Sequence, residues 1–153
     1  MMYDDDKKWL NRHSRLLAES YRRLTGKSLI VAAPDADLVP LLYDAPFALL
    51  SHGTENDPVL NYGNKTAQSL WEMDWRSFTG MPSRMTAEPM EQGVREAFMS
   101  EVRQKGYTDA YEGIRISGSG RRFRIERAAV WNLIDEDGVY RGQAAMFPSW
   151  TWL

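Results

Sequence analysis

The sequence contains no cysteine. A chain without cysteine cannot form a disulfide, a thiolate metal site, a cysteine nucleophile or the cysteinyl adduct of a flavin photoreceptor. It also cannot be one of the small secreted scaffolds that disulfides hold together. We therefore expect a cytoplasmic protein.

Long hydrophobic runs and an excess of charge of one sign are missing as well. No apolar run approaches the roughly 20 residues needed to span a bilayer, and the first residues, "MMYDDDKKW", are acidic where a signal peptide would be basic. The net charge of −2 gives no general attraction to nucleic acid or anionic lipid. The expected partners therefore include neither a nucleic acid nor a membrane.

Tryptophan is abundant. The 153 residues include six Trp but five Phe, and 12% of the chain is aromatic. This length suits one domain with one core. The large rings predict a core or a pocket walled by aromatic side chains.

The N-terminal segment has the pattern of an amphipathic helix between Asp5 and Leu24. Its apolar positions are spaced by one, three or four residues: Trp9, Leu10, Leu16, Leu17, Tyr21 and Leu24. The run Asp4–Asp6 suits the positive end of the helix dipole, and Gly26 suits its end. We assign residues 1–26 to this helix and residues 27–153 to the main domain.

The middle of the chain mixes strand and helix signals. Two short runs, Phe47–His52 and Pro58–Tyr62, flank turn residues and predict a hairpin, preceded by a short helix that Asp35 or Asp37 caps. Short helices follow from Asn64 to Gly80, where Trp71 and Trp75 lie four apart and are predicted to share a helical face. A longer helix should end at Gly106, with this predicted buried face: Met90, Val94, Phe98 and Val102.

The last third changes to a period of two and predicts three antiparallel strands joined by the turns "GSG" and "DEDG". Alternation in the middle strand divides its side chains between two faces. One face is predicted to hold Phe123, Ile125, Ala129 and Trp131; the other, Arg122, Arg124, Glu126 and Val130. The apolar Val130 needs a cover, which the N-terminal helix can provide.

These elements predict an α+β fold with one five-stranded antiparallel sheet and short helices over one of its faces. A layout of this kind encloses a cavity between sheet and helices.

The stretch after the second strand resembles the PAS family, in which Asn follows that strand and Gly ends a later short helix. The matching residues here are Asn64, Thr66, Ala67, Leu70, Trp71 and Gly80. One departure is Glu72, which stands where many PAS domains have Gly between the two short helices.

A second resemblance covers Leu41 to about Trp150 and is to the PAS-like MEKHLA domain, found alone in bacteria and at the C-terminus of plant class III homeodomain-leucine zipper proteins. The blocks that carry it are "SHGTENDPVLNYGN", "SLWEMDW", "PSRMTAEP", "GRRFRIERAAVWNL" and "GQAAMF". This resemblance implies a sensory or regulatory module, expected here to be bacterial, and it names no cofactor; the cofactor is unknown.

Eight residues are candidates for ligand contact: His52, Asn64, Trp71, Trp75, Arg124, Trp131, Gln143 and Phe147. Each has a structural alternative. Asn64 is better explained as a helix cap, and the tryptophans as core. His52 lacks neighbouring metal ligands and is explained as a hydrogen-bonded structural histidine.

Arg124 is either part of a solvated strand face, pairing with Glu126 or Glu112, or an anchor for a carboxylate or phosphate. Gln143 either bonds internally or reads a ligand, as a Gln on the last strand does in flavin-binding PAS relatives. No residue stands out as catalytic or as a metal ligand.

Three functions remain open. The first is a stand-alone PAS-like module that binds a small apolar or aromatic ligand, forms a homodimer through its N-terminal helix and signals by protein contact. The second is a pocket enzyme of the ketosteroid isomerase type, which requires a pocket Asp or His. The third is an interaction domain with a filled core and no ligand.

Overall fold

The computed structural model describes residues 6–153. The helices are α1 (Lys7–Thr25), α2 (Leu38–Tyr43), α3 (Lys65–Trp71), α4 (Trp75–Phe78) and α5 (Pro89–Lys105), with a 3₁₀ turn at Ser83–Thr86. The strands are β1 (Ala48–His52), β2 (Leu60–Gly63), β3 (Tyr107–Ile116), β4 (Arg122–Ile134), β5 (Tyr140–Phe147) and β6 (Ser149–Trp152). This element order is the one that the sequence predicts, with the addition of β6.

The predicted helix boundaries follow from local capping. The Asp6 carboxylate accepts a hydrogen bond from the Trp9 N–H at 3.0 Å, and α1 ends at Gly26 in the left-handed conformation, with φ 74°. Asp37 caps α2 in the same way. Asp4 and Asp5, which we also placed at the start of the first helix, lie outside the described residues.

The strands form an antiparallel sheet in the order β2-β1-β5-β4-β3. The predicted five strands become six in the described chain, because β6 pairs with the first half of β4. Pro148 separates β5 from β6 and cannot donate a ladder hydrogen bond. Both strands pair with β4, β5 with its second half and β6 with its first half.

The predicted alternation in β4 is wrong after Glu126. Arg127 has φ 49°, and the β3–β4 register shifts between Tyr111 and Gly113, which marks a β-bulge. After the bulge, each side chain of β4 points to the face opposite to the one that strict alternation predicts. As a result Val130 lies in the same apolar cluster as Phe123 and Ile125. The opposite cluster holds Ala129 and Trp131.

Helices cover both faces of the sheet. α3 and α5 pack on the face that bears Phe123, whereas α1 packs on the face that bears Trp131. α1 buries Leu10, Leu17 and Tyr21 there. The N-terminal helix therefore does cover a sheet face, although Val130 lies on the other one. Whether α1 also contacts a second copy stays a prediction.

The predicted buried face of α5 is wrong in its first half. Met90 and Val94 are 76% and 66% exposed, whereas Arg95 is 6% exposed and Val102 is buried. The stripe that faces the sheet therefore includes Arg95, Phe98, Met99 and Val102, at spacings of three and four residues.

Trp71 and Trp75 do not share a helical face, because α3 ends between them. Glu72 has φ 58°, a left-handed conformation that usually favours glycine, and its carboxylate accepts hydrogen bonds from the Ser117 and Ser119 hydroxyls. Trp71 thus packs on the α5 side of the sheet, and Trp75 packs edge-on against Tyr62 on the α1 side.

Candidate ligand-binding cavity

A small cavity lies between the sheet and the helices that cover its Phe123 face. Its volume is about 40 Å³. Strands β1, β4 and β5 form its floor, α3 forms one wall, and α5 with the 3₁₀ turn forms its roof. The lining is mostly apolar, with side chains that include Leu50, Leu60, Trp71, Met99, Ile125, Val130 and Phe147.

The last long strand supplies one edge of the cavity. Gln143, Ala145 and Phe147 all line it, as strand alternation predicts. Gly142 allows the neighbouring strand to approach: an added Cβ there would collide with the carbonyl oxygen of His52. Strand β1 therefore approaches the backbone of β5 closely beside Gln143.

Polar side chains at the cavity are connected to one another. The Gln143 amide N–H group donates to the Met99 carbonyl at 2.9 Å and to the Asn132 Oδ1 at 3.2 Å. The Nδ1 atom of His52 lies 2.9 Å from the Gly53 carbonyl oxygen, and His52 is the residue of β1 that pairs with Gln143 of β5. Burial lowers the pKa of His52, so this histidine is neutral at pH 7.

Two buried arginines line the same cavity, and neither was predicted from the sequence as a contact residue. Arg95 is 6% exposed and Arg115 is 4% exposed. Arg115 shares a face of β3 with Tyr111 by two-residue alternation, which is a signal that was present in the sequence. For Arg95 the signal is its place in the stripe with Phe98, Met99 and Val102.

Four of the eight predicted contact residues meet at the cavity, and four lie elsewhere. His52, Trp71, Gln143 and Phe147 line it. The other four, which do not, are Asn64, Trp75, Arg124 and Trp131. Arg124 is half-buried in the part of β4 that pairs with β6.

The side-chain oxygen and nitrogen of Asn64 each make two hydrogen bonds within the protein. Its Oδ1 accepts from the Ala67 and Leu49 N–H groups, each at 3.0 Å, which is the predicted helix cap and one further bond. Its Nδ2 donates to the carbonyls of Leu42 at 3.0 Å and Phe47 at 2.9 Å. Asn64 therefore ties α2, β1 and α3 together at one corner.

Trp131 belongs to the opposite side of the sheet, where its ring meets Tyr21 of α1 edge-on at 4.9 Å between centroids. Arg121 and Arg122 belong, with Arg124, to the basic segment "RRFRIER". Arg121 lies over the Trp152 ring at 3.8 Å, and Arg122 pairs with Glu88.

Residues 6–153 contain no group of three or more His, Asp or Glu side chains placed to hold a metal ion. Within the same range, none of the helices has the length and apolar character to cross a membrane.

The family model for the MEKHLA domain matches residues 11–152, almost the whole chain. The chain belongs to the MEKHLA domain family. This match confirms the resemblance carried by the sequence blocks from Leu41 to Trp150, and it extends into α1.

Curated relatives with MEKHLA-like sequence are plant homeobox-leucine zipper proteins. HOX9 of Oryza sativa subsp. indica is 25% identical over 145 residues, which cover 92% of this chain and 17% of that protein. ATHB-14 of Arabidopsis thaliana is 26% identical over 147 residues, which cover 91% of this chain and 17% of that protein. The MEKHLA chain thus spans about a sixth of the length of these relatives. A bacterial origin has no support among them.

Solved structures similar to this MEKHLA domain have the PAS fold. A PAS domain from Colwellia psychrerythraea superposes with a TM-score of 0.62 at 16% identity, over 69% of this chain and 87% of that one. A light-oxygen-voltage domain studied with a flavin analogue gives 0.61 at 15% identity, over 80% and 88%. A PAS domain of a two-component sensor histidine kinase superposes with a TM-score of 0.55 at 21% identity, over 74% of this chain and 90% of that one. The predicted PAS-like α+β fold is confirmed.

Proposed function

We propose that this MEKHLA domain is a sensory module in which a small organic molecule occupies the cavity and alters the contacts that the domain makes with other proteins. The observation that carries this proposal is the cavity itself, which combines apolar walls with buried polar groups beneath α5. Small-molecule sites in proteins have this composition.

A physical route connects the cavity to the surface helix α1. Ser51 lines the cavity from β1, and its hydroxyl lies 2.8 Å from the Nε2 atom of His13 in α1. A ligand that displaces Ser51 would therefore disturb the hydrogen bond that holds α1 on the sheet through His13. This contact supports signalling through the N-terminal helix.

The volume limits the occupant. About 40 Å³ leaves room for roughly three water molecules, because a water needs about 10–15 Å³ by this measure. A flavin ring does not fit this space. We therefore propose a ligand of few heavy atoms, smaller than the aromatic compound that the sequence suggests.

The small volume also favours a second candidate, an interaction domain whose core is simply packed. The ketosteroid isomerase alternative receives less support. The described residues around the cavity include neither Asp nor Glu, and the imidazole of His52, which does line it, is engaged by the Gly53 carbonyl through Nδ1.

Filling the cavity separates the first two candidates. Ala145 is half-buried at the cavity edge, and Ala145→Leu should occupy much of the space. A ligand-observed NMR screen of small neutral and charged organic compounds should find binders to the wild type that do not bind the variant. If no compound binds the wild type and A145L is at least as stable, the domain is a packed interaction domain and the sensory proposal is wrong.

A further inference from the structure

We infer that the cavity is an anion site that takes a small organic carboxylate, held by Arg95 and Arg115. This inference rests on the proposed function, because it names the class of ligand for the same cavity. It is carried by the burial of the two guanidinium groups and by the state of their donors.

Arg95 is buried with one weak charge partner. Its contact with a carboxylate is to Glu96 at 3.3 Å, and the Glu96 side chain is 59% exposed, so water screens that pair strongly. Its Nη2 donates to the Ser83 hydroxyl, and its Nε–H is buried without a partner. Such a donor costs free energy until an acceptor reaches it.

Arg115 is in a similar position across the cavity. Its Nη1 donates to the Ile114 carbonyl at 2.8 Å and its Nη2 to the Tyr111 hydroxyl at 3.1 Å. Both partners are neutral, and the ion pairs found among residues 6–153 do not include Arg115. Burial, and then the charge of Arg115, lower the pKa of Arg95 to about 10, so its guanidinium stays charged at pH 7.

The unsatisfied groups at the cavity are donors. Besides the Nε–H of Arg95, the Nε1–H of Trp71 is buried without a partner, and Trp71 lines the cavity. The site therefore has two positive charges and two donors without acceptors, and none of its described lining residues is Asp or Glu. It lacks both hydrogen-bond acceptors and negative charge. An anionic group supplies both.

The shape of the site favours a carboxylate over a phosphate. A carboxylate offers two coplanar oxygens that match the guanidinium fork, and its carbon chain can contact the apolar floor formed by Ile125, Val130 and Phe147. A free phosphate presents oxygen in every direction and would place some of it against that floor.

The test compares propionate with propionamide, which has the same number of heavy atoms and no charge, and with inorganic phosphate at equal ionic strength. The readout is the indole N–H signal of Trp71 in heteronuclear NMR, together with the melting temperature. Propionate should shift the Trp71 signal in a saturable way and raise the melting temperature, whereas propionamide should bind at least tenfold more weakly.

Two variants and a matched control assign the binding to the arginines. Arg95→Met and Arg115→Met keep an unbranched side chain as far as the position of Nε and remove the guanidinium charge, and each should weaken propionate binding at least tenfold. Each variant should also melt at or above the wild-type temperature without ligand, because an unpaired buried charge has been removed. Arg103→Met, on the exposed side of α5, should bind propionate as the wild type does.

The outcomes separate this inference from the proposed function. Binding of propionamide or other neutral compounds in preference to propionate would overturn the carboxylate site and leave the sensory module intact. Binding of phosphate alone would also overturn it. Binding of propionate that survives both R95M and R115M would place the anion elsewhere. Failure of all compounds to bind would contradict the site and the proposed function together.

Discussion

His13 makes a buried polar contact between α1 and strand β1 of the sheet. The Ser51 hydroxyl donates its one proton to the Asn61 Oδ1 at 2.6 Å, so the His13 Nε2, at 2.8 Å from the same oxygen, is the donor in that bond. The ring also stacks on Trp9, with centroids 4.4 Å apart. The imidazole is therefore a neutral donor held inside the protein.

Stability should fall on acidification because of this histidine. Burial lowers the pKa of His13 from 6.5 to about 3, so between these values the unfolded chain binds a proton that the folded chain excludes. The free energy of unfolding should therefore decrease by about 2 kcal/mol between pH 7 and pH 5. Urea unfolding at several pH values measures this slope.

His13→Gln is the matching variant, since its amide can still donate to Ser51. The slope between pH 7 and pH 5 should become shallower in H13Q but not vanish, because burial lowers the pKa of His52 as well and gives the same sign. An unchanged slope would show that His13 is accessible to protons in the folded state.

At the residue scale, the sequence predicted the capping role of Asn64 and the inward position of Gln143, since caps and alternation depend on near neighbours. It did not predict Arg95 as buried. Arginine is ordinarily exposed, so a helix stripe drawn from apolar residues favoured Val94, its neighbour. The burial of Arg95 depends on a cavity that the sequence does not encode locally.

Among the elements, β5 depends on a glycine for its contact with β1. Gly142 has φ 130°, a conformation that residues with a side chain rarely adopt, and a Cβ would strike the His52 carbonyl. Gly142→Ala should lower the free energy of unfolding by more than about 3 kcal/mol.

Gly138→Ala is the control for this prediction. Gly138 has φ 79° with open space around the position of its Cβ, so G138A isolates the backbone cost, about 1 kcal/mol. Urea midpoints of the two variants measure the difference. If both variants lose the same free energy of unfolding, β1 and β5 can move apart to accommodate an added methyl group at little cost.

Elements with explicit start and stop signals were predicted well, as α1 with Asp6 and Gly26 shows. The β-bulge at Arg127 was not predicted, because a left-handed arginine carries no signal in composition or period. β6 was not predicted either: the last predicted strand corresponds to β5, and the short segment Ser149–Trp152 after Pro148 carries no clear alternation.

On the scale of the whole molecule, the change of period along the chain was enough to predict antiparallel strands and a cluster of helices between the second and third of them. The two-sided covering of the sheet was less accessible. It required knowledge of which β4 residues face α1, and the β-bulge at Arg127 decides that.

Self-association through α1 also belongs to this scale. Three residues of the apolar stripe of α1, Leu10, Leu17 and Tyr21, are buried against the sheet of the same chain. Trp9 and Leu16 remain half-exposed, and because they lie seven residues apart they share one side of α1. A homodimer through this helix must therefore form around these two residues.

We predict that the full chain sediments as a dimer at micromolar concentration and that Leu16→Lys shifts it towards monomer, because a charge at this position would be buried in the contact. Asn11→Lys places the same charge on an exposed position of α1 and should leave the dimer intact. Sedimentation velocity measures the mass, and circular dichroism verifies that both variants are folded. A wild-type chain that is monomeric throughout would mean that α1 serves the sheet of its own chain alone, and any ligand signal would have to leave by another surface.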